Sequence, residues 1–478
     1  MRERNTLFEY MYRDLADKIS CGLLRYGDVL PSMNDLCTRY NVGIRTVRDV
    51  VAALKEDGFI VTEERKRATV SYRANLEDGI AVGARSLIAR RSTVLESLQT
   101  LELLMPMMLW RAARSCSVEE LDALRSSAYP VDYEMRSGDW RVSRSSVAQH
   151  ELLKKADNPL FVECFASLEL ASIVPVYPGY ADPYAEAVER SGHVLKDVFD
   201  ALKLGSYEQA CGEISYMFAD MAEYIVPYLD ALEADYPIDD KVSGLPYTWN
   251  ARAGREYAYA QHARDVISRI ASGEYADGDL LPSIAEFAEM YDASLSTIQK
   301  TLEMINALGI VETVNGCGTR VCLSNMRFDP RFFGEPSYKR DTEVFLAALD
   351  MMGIVLPVAV KTTAGRFEDV VEGVACARLA ETGEWAGQGA LMKGVIGAVR
   401  LQPLRAIMEE LNELLFWGNF FVFFGPTREN KDTLLGLSSD AYAALEKRDV
   451  QAFSDAMADY YQYMLVAIKA FLSQVERQ

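Results

Sequence analysis

The 478-residue sequence is poor in the groups from which catalytic and metal sites are assembled. It has three histidines, His150, His193 and His262, and eight cysteines at positions 21, 37, 116, 164, 211, 317, 322 and 376, with no Cys-x-x-Cys pair. That scatter argues against a disulfide framework or a structural zinc site and reads as buried free thiols in a reducing cytoplasm. Long apolar runs are also missing. The N-terminus, Met1–Asn5, is charged and has no signal core, and the longest strongly apolar stretch, Leu414–Gly425, is twelve residues interrupted by Asn419. That is too short to span a bilayer and is expected to be a buried helix, so no membrane partner is expected. Positive charge is the third shortage. Fifty Lys and Arg face seventy Asp and Glu, a net charge of −20. Taken whole, that balance counts against nucleic-acid binding, because phosphate affinity comes from Lys and Arg. No glycine-rich phosphate loop, alternating strand–helix pattern or nucleophile–base pair stands out, so an enzyme and a bound cofactor are not expected. What remains is a globular composition, half apolar and a quarter charged, long enough for two to four domains.

The chain is written twice. Gly27-Asp28-Val29-Leu30-Pro31-Ser32 returns as Gly278-Asp279-Leu280-Leu281-Pro282-Ser283 at an offset of 251, which also relates Tyr40 to Tyr291, Thr46 to Thr297, Gly58 to Gly309 and Val70 to Val321. Val94–Arg114 lies over Phe345–Gly365 at the same offset, which then drifts to 244 at Asn158-Pro159 and Gln402-Pro403 and to 243 at Ala201-Leu202 and Ala444-Leu445. Loop insertions and deletions produce drift of that size. The expected organisation is a small module over 1–75, a helical one over 80–233, a linker over 234–250 with Pro237, Gly244 and Pro246, a second small module over 251–326 and a second helical one over 335–478.

Within the small module Leu7, Met11, Leu15 and Ile19 recur at helical spacing. Ser32 with Asp35, and Ser283 with Glu286, mark helix starts as capping boxes. A second helix over Met33–Tyr40, a turn at Asn41-Val42-Gly43 and a third helix over Ile44–Asp57 ending at Gly58 follow. Phe59–Thr62 and Thr69–Arg73 alternate like strands of a hairpin. Helix, helix, turn, helix, hairpin is a winged helix-turn-helix. Its third helix enters the major groove, and its wing meets the backbone or the minor groove.

The run LPSMNDLCTRYNVGIRTVRDVVAALKEDGFI resembles the DNA reader of the GntR family of bacterial transcription regulators, and LLPSIAEFAEMYDASLSTIQKTLEMINALGIVETVNGCGTRV resembles it more weakly. The family's Arg two residues after Leu-Pro-Ser is replaced by Asn34 and Ala285, and its Ser-Arg before the Thr by Gly43-Ile44 and Ser294-Leu295. The resemblance implies that Arg45 and Arg48 contact base edges or phosphates, Ser32 and Thr46 phosphates, and Arg65, Lys66 and Arg67 on the wing the backbone or minor groove. The second copy offers Ser283, Thr297, Gln299, Lys300 and Arg320 at comparable positions, with Gln299 where Arg48 stands. Charge divides the same way. Residues 1–75 carry a net +2, residues 251–326 carry −4, and the remainder carries −18.

Residues 80–233 and 335–478 read as all-helical, with Val94–Arg114 a long helix kinked at Pro106. QHELLKKADNPLF, LKDVFDALKLGSYEQA and DAYAALEKRDVQAF resemble the helical effector domain of the family's FadR-like branch. Many such domains hold a divalent metal through an Asp and three histidines. Here His150 fits one histidine, but Ser146 stands at the Asp position and Gly394 replaces His150 in the second copy, so no metal site is expected. Arg111, Arg141, Arg144 and His150 are candidate effector contacts. The fold expectation is therefore mainly α: two winged helix-turn-helix domains, each followed by a helical bundle, forming an internal pseudo-dimer. The functional expectation is a small-molecule-responsive repressor on an asymmetric double-stranded DNA operator. A degenerate regulator serving as a ligand- or protein-binding module is the alternative. A family member of this length fused to a pyridoxal-phosphate enzyme domain is not expected, because the second reader occupies the middle of where that domain would lie.

Overall fold

A computed structural model describes residues 8, 11–12, 14–16, 18–19, 24, 26–40, 42–63, 66–72, 76–128, 144–184, 187, 194–238, 246–249, 251, 258–271, 273–314, 316–323, 336–380, 386–416 and 430–475. They form two units, Met1–Gly254 with Leu401–Ile407, and Arg255–Arg400 with Met408–Gln478.

The first unit opens with helical residues between 8 and 19, where Met11, Leu15 and Ile19 are buried one turn apart. Helix α1 (Met33–Tyr40) and helix α2 (Ile44–Glu56) follow, then strands β1 (Ile60–Val61) and β2 (Thr69–Val70), paired antiparallel with Ile60 opposite Val70. Val29 bridges Thr69 and adds a third edge to the wing. Gly58, at φ +80°, lets the chain leave α2 and turn into β1. Leu30, Leu36, Val47, Val50 and Leu54 close the core of this reader.

The bundle of the first unit holds α3 (Leu76–Ala89), α4 (Arg91–Ala113), α5 (Val118–Ser127), α6 (Arg144–Leu153), α7 (Pro159–Ser172), α8 (Val194–Leu204) and α9 (Tyr207–Asp235). The central helix, α4, packs on α7 and α9 and carries Pro106 fully inside. Asn158 caps α7 by accepting the Leu160 N–H at 3.1 Å, and Pro159 occupies the first turn, where no amide donor is needed.

The second unit repeats the order: α10 (Ala258–Ala271), α11 (Ile284–Met290), α12 (Leu295–Ala307), β3 (Val311–Val314), β4 (Gly318–Val321), α13 (Pro336–Thr362), α14 (Phe367–Ala380), α15 (Ala386–Ala398), α16 (Gln402–Phe416, this unit's part from Met408), α17 (Lys431–Lys447) and α18 (Val450–Val475). In its bundle α13 and α17 pack on α18, and α14 lies along α15.

The 251-residue register holds at the level of single hydrogen bonds. Gly27 N–H donates to the Val70 carbonyl and Gly278 N–H to the Val321 carbonyl, both at 2.9 Å, while the Leu30 and Leu281 amides donate to Ala68 and Thr319 at 2.8 Å. Each reader also carries the same polar set. Tyr40 donates to Asp14 and Tyr291 to Asp265, both at 2.5 Å, and the two carboxylates pair with Lys18 and Arg269. Burial alone pushes the Asp14 carboxyl up, but Lys18 and Arg90 together with the Lys18 and Tyr40 hydrogen bonds hold it below the usual carboxylate range. A depressed folded pKa stabilises above the unfolded value of about 3.9, and that contribution is lost as pH falls through the lower folded value. Asp14→Asn should therefore cost about 2 kcal/mol near neutral pH, the scale of a hydrogen bond to a charged group. The gap between the two proteins should close as the pH drops below about 4. Urea midpoints measured from pH 7 to pH 2 test this, and a gap that stays constant with pH contradicts it.

Several expectations need correction. Helices α3, α5 and α14 fall in the segments expected to be helical, although no periodicity marks them singly. Helix α5 is short and buries only Leu121, so its apolar stripe is too thin to register, although Ser117 and Glu120 form a full capping box at its start. The helix ending at Phe416 covers only the start of the apolar stretch 414–425, and the rest lies outside the described residues. The thiols are not uniformly buried: Cys164 is buried, Cys317 and Cys376 are exposed, and the four other described thiols are intermediate. Asp341–Thr362 is a longer apolar segment, interrupted by Asp350. By length and composition that segment is apolar enough to cross a membrane (mean hydropathy 2.0), and 61% of the window is buried inside the fold, as in the core helix of a helical domain.

Candidate nucleic-acid interface

Helix α2 divides cleanly into two faces. Val47, Val50, Val51 and Leu54 are buried, and Ile44, Arg45, Arg48, Asp49 and Ala52 are exposed. At 100° per residue this is a core stripe with one exposed ridge opposite. Arg45 and Arg48, one turn apart on that ridge, make no ion pair among the described residues, so their donors are free for a ligand. Thr46 is half-buried beside them. The N-cap is Gly43, which offers no side-chain acceptor to the first amides of α2.

Ser32 and Ser283 are engaged locally. Ser32 Oγ donates to Asp35 at 2.6 Å and accepts the Asp35 amide, and Ser283 Oγ accepts the Glu286 amide at 3.3 Å while Glu286 returns to the Ser283 amide. Both therefore hold a helix start. On the first wing Lys66 and Arg67 are exposed, and Lys66 Nζ donates to Glu63 at 2.6 Å. Arg65 lies outside the described residues.

The second reader keeps the geometry and changes the chemistry. On α12, Ile298, Leu302 and Ile305 are buried, while Leu295, Ser296, Gln299, Lys300 and Glu303 form the exposed ridge. Its N-cap is Ser294, whose Oγ accepts the Thr297 amide at 3.2 Å and lies 2.8 Å from the Thr297 hydroxyl. Thr297 is thus tied into its own helix start. Lys300 Nζ sits 5.9 Å from the Tyr259 ring centre. The wing is a hairpin of two four-residue strands turned at Gly316 and Gly318, both at positive φ, and Arg320 stands exposed across from Glu312. Two exposed residues not among the expected DNA contacts are Ile44 and Leu295, apolar side chains opening the two third helices. Their signal is their position directly after the helix cap.

Of the four candidate effector contacts, the structure describes the side chains of Arg111 and His150. Arg111 is exposed on the last turn of α4, Arg144 opens α6, and Arg141 and His193 lie outside the described residues. His150 is partly buried on α6. Its Nε2 lies 3.1 Å from Glu169 on α7 and its ring 4.5 Å from that of Phe165. No cluster of three potential metal ligands occurs among the described residues. At the position equivalent to His150, the second unit has no side chain. Gly394 on α15 faces Gly373 on α14, and a Cβ on Gly394 would meet Val374 Cγ2 at 2.4 Å, the Val374 nitrogen at 2.8 Å and the Val370 carbonyl at 3.0 Å.

Two winged helix-turn-helix modules, each with an exposed ridge on its third helix, define a double-stranded DNA-binding protein. The model of the bacterial regulatory proteins of the gntR family matches both modules, at residues 8–70 and 258–321. The chain thus carries the DNA-binding domain of the gntR family of bacterial regulatory proteins twice. The repressor NanR of Salmonella bongori is 26% identical over 182 residues, covering 37% of this chain and 68% of that protein. NanR of Klebsiella aerogenes is 26% identical over 34% of this chain and 64% of its own length. YhcF of Bacillus subtilis, an uncharacterised HTH-type transcriptional regulator, is 41% identical over 13% of this chain and half its own length. Among solved structures, Lar, which controls expression of the Listeria monocytogenes agr system, is similar at 19% identity over 46% of this chain and 97% of its own, with a TM-score of 0.24.

Proposed function

We propose that the chain works as a single-chain pseudo-dimer: one polypeptide presents both readers to the two halves of an asymmetric operator, and a small molecule relieves its repression. The observation that carries this is the duplication of the whole reader ridge, with Arg45 and Arg48 on one copy and Ser296 and Gln299 on the other. Repression is taken from the NanR relatives, which are repressors. The domain limits proposed are 1–75, 80–233, 251–326 and 335–478, joined at 234–250, and the protein acts in the cytoplasm without a cofactor.

Sensing is assigned to the first bundle. There His150 and Glu169 leave polar atoms between α6 and α7, with Arg111, Arg141 and Arg144 as further candidate contacts. In the second bundle Gly394 stands at the position of His150 and offers no polar side chain. Leu170, next to Glu169 on α7, packs against the core of the first reader, so a ligand that displaces α7 pushes on that reader. Coupling of this kind is worth about 1–3 kcal/mol. A thermal-shift screen of small organic acids and lipids, followed by anisotropy of labelled operator, tests the assignment. The expected result is a ligand that stabilises the protein and weakens operator binding, with both effects lost in His150→Ala. No sequence-selective duplex binding at low salt overturns the regulator function and favours a degenerate binding module, a possibility raised by the acidic second reader with Ser294 and Thr297 turned to its own helix cap.

A further inference from the structure

Ile44 pairs with Leu295 at the 251 offset, Arg45 with Ser296, and Arg48 with Gln299, and all six are exposed on ridges of the same geometry. We propose that the two readers recognise different bases at the dyad-related position of the operator, with Arg48 reading guanine in one half-site and Gln299 reading adenine in the other. We propose further that Ile44 and Leu295 each seat against a thymine methyl. This rests on the pseudo-dimer function above and gives its operator a base identity.

The donor and acceptor patterns carry the assignment. A guanidinium has only N–H donors, and two of them match the N7 and O6 acceptors of guanine. Against adenine, one of those donors would face the N6 amino group, which is itself a donor. The carboxamide of Gln299 has both kinds of group, so it donates to adenine N7 and accepts from N6. Neither side chain makes an ion pair or hydrogen bond within the described chain that would withdraw it. Position strengthens the case, because both residues lie on the second turn of their helices, on the ridge opposite the core stripe. Ile44 and Leu295, one turn earlier on the same ridge, are 39% and 57% exposed. Apolar groups exposed on a base-reading face have one apolar feature to meet in the major groove, the thymine C5-methyl.

The test is selection of duplexes from a randomised library by the full chain, followed by anisotropy titrations. The enriched site should be non-palindromic, with guanine in one half and adenine at the dyad-related position of the other, and thymine close by in both. Gln299→Arg should shift the preference from adenine to guanine by about tenfold or more, and Arg48→Gln should do the reverse, since a good bidentate pair discriminates on that scale. Replacing the thymine by deoxyuridine, which lacks only the methyl, should weaken binding to the wild type. Both substituted side chains are exposed, so unchanged melting by circular dichroism separates misfolding from altered reading. A palindromic site with one base at both positions, or a preference that Gln299→Arg leaves in place, overturns the base assignment while leaving DNA binding intact. Failure to enrich any duplex overturns the regulator function itself.

Discussion

Gly394→Ala should destabilise the second unit by about 3 kcal/mol, at the upper end of what overpacking a tight contact costs. Two effects oppose each other here. Alanine is the better helix former by about 1 kcal/mol in a helix interior. Against that, the new methyl would stand 2.8 Å from the Val374 nitrogen and 3.0 Å from the Val370 carbonyl. Those are backbone atoms of α14 and cannot rotate away, so the helices must separate. Gly373 shows the contact from the other side, with its own ideal Cβ 3.1 Å from Gly394 Cα. The steric effect wins, and the thermal midpoint of the second unit should fall by roughly 6–12 °C. Gly436→Ala is the control. It lies in α17, is exposed, and has nothing within 4 Å of its Cβ position, so only the propensity gain remains and the protein should become slightly more stable. Calorimetry of the two variants decides the matter. Equal stabilisation by both would mean that α14 and α15 do not pack at this distance.

That glycine contact shows where sequence patterning stops. The repeat, the readers and the long helices follow from local rules. Apolar residues one turn apart bury Met11, Leu15 and Ile19, capping serines start α1 and α11, and glycines at positive φ end α2 and α12. Each of those signals lies within a few residues of what it specifies. The crossing of α14 and α15 depends on Gly373 and Gly394, twenty-one residues apart, and nothing in either helix taken alone marks the point where they touch. The pairing of His150 with Glu169 is likewise a property of two helices brought together. The candidate interface was more legible. Arg45 and Arg48 could be placed on the open face because the valines that bury the other face set the helical phase. Serine was less legible, because the same hydroxyl suits a phosphate and a helix cap, and at Ser32 and Ser283 the cap holds it.

The double substitution Arg45→Ala/Arg48→Ala should reduce operator affinity by more than a hundredfold, about 3 kcal/mol, if each arginine supplies a specific contact of about 1–3 kcal/mol. The charge distribution makes the loss hard to compensate. The first reader carries only +2, so removing two cations leaves it neutral within a chain of net charge −20. An acidic protein of this kind has little non-specific attraction for DNA to fall back on. Salt dependence then separates the two kinds of contact. Where an arginine neutralises a phosphate, its loss lowers the slope of log K against log salt by about 0.9 per contact. Where it reads a base edge, the slope changes less and the discrimination among operator variants collapses. The matched pair Ser296→Ala/Gln299→Ala should cost less affinity and leave the salt slope unchanged, because neither side chain is charged. All four residues face outward, and neither substituted arginine gives up an ion pair within the described chain, so stability should stay within about 0.5 kcal/mol of the wild type. Titrations at several salt concentrations give both quantities. Equal losses for the two pairs would show that charge does not set the unequal grip of the readers, and the asymmetry would then have to come from the wings, where Lys66 and Arg67 stand against the lone Arg320.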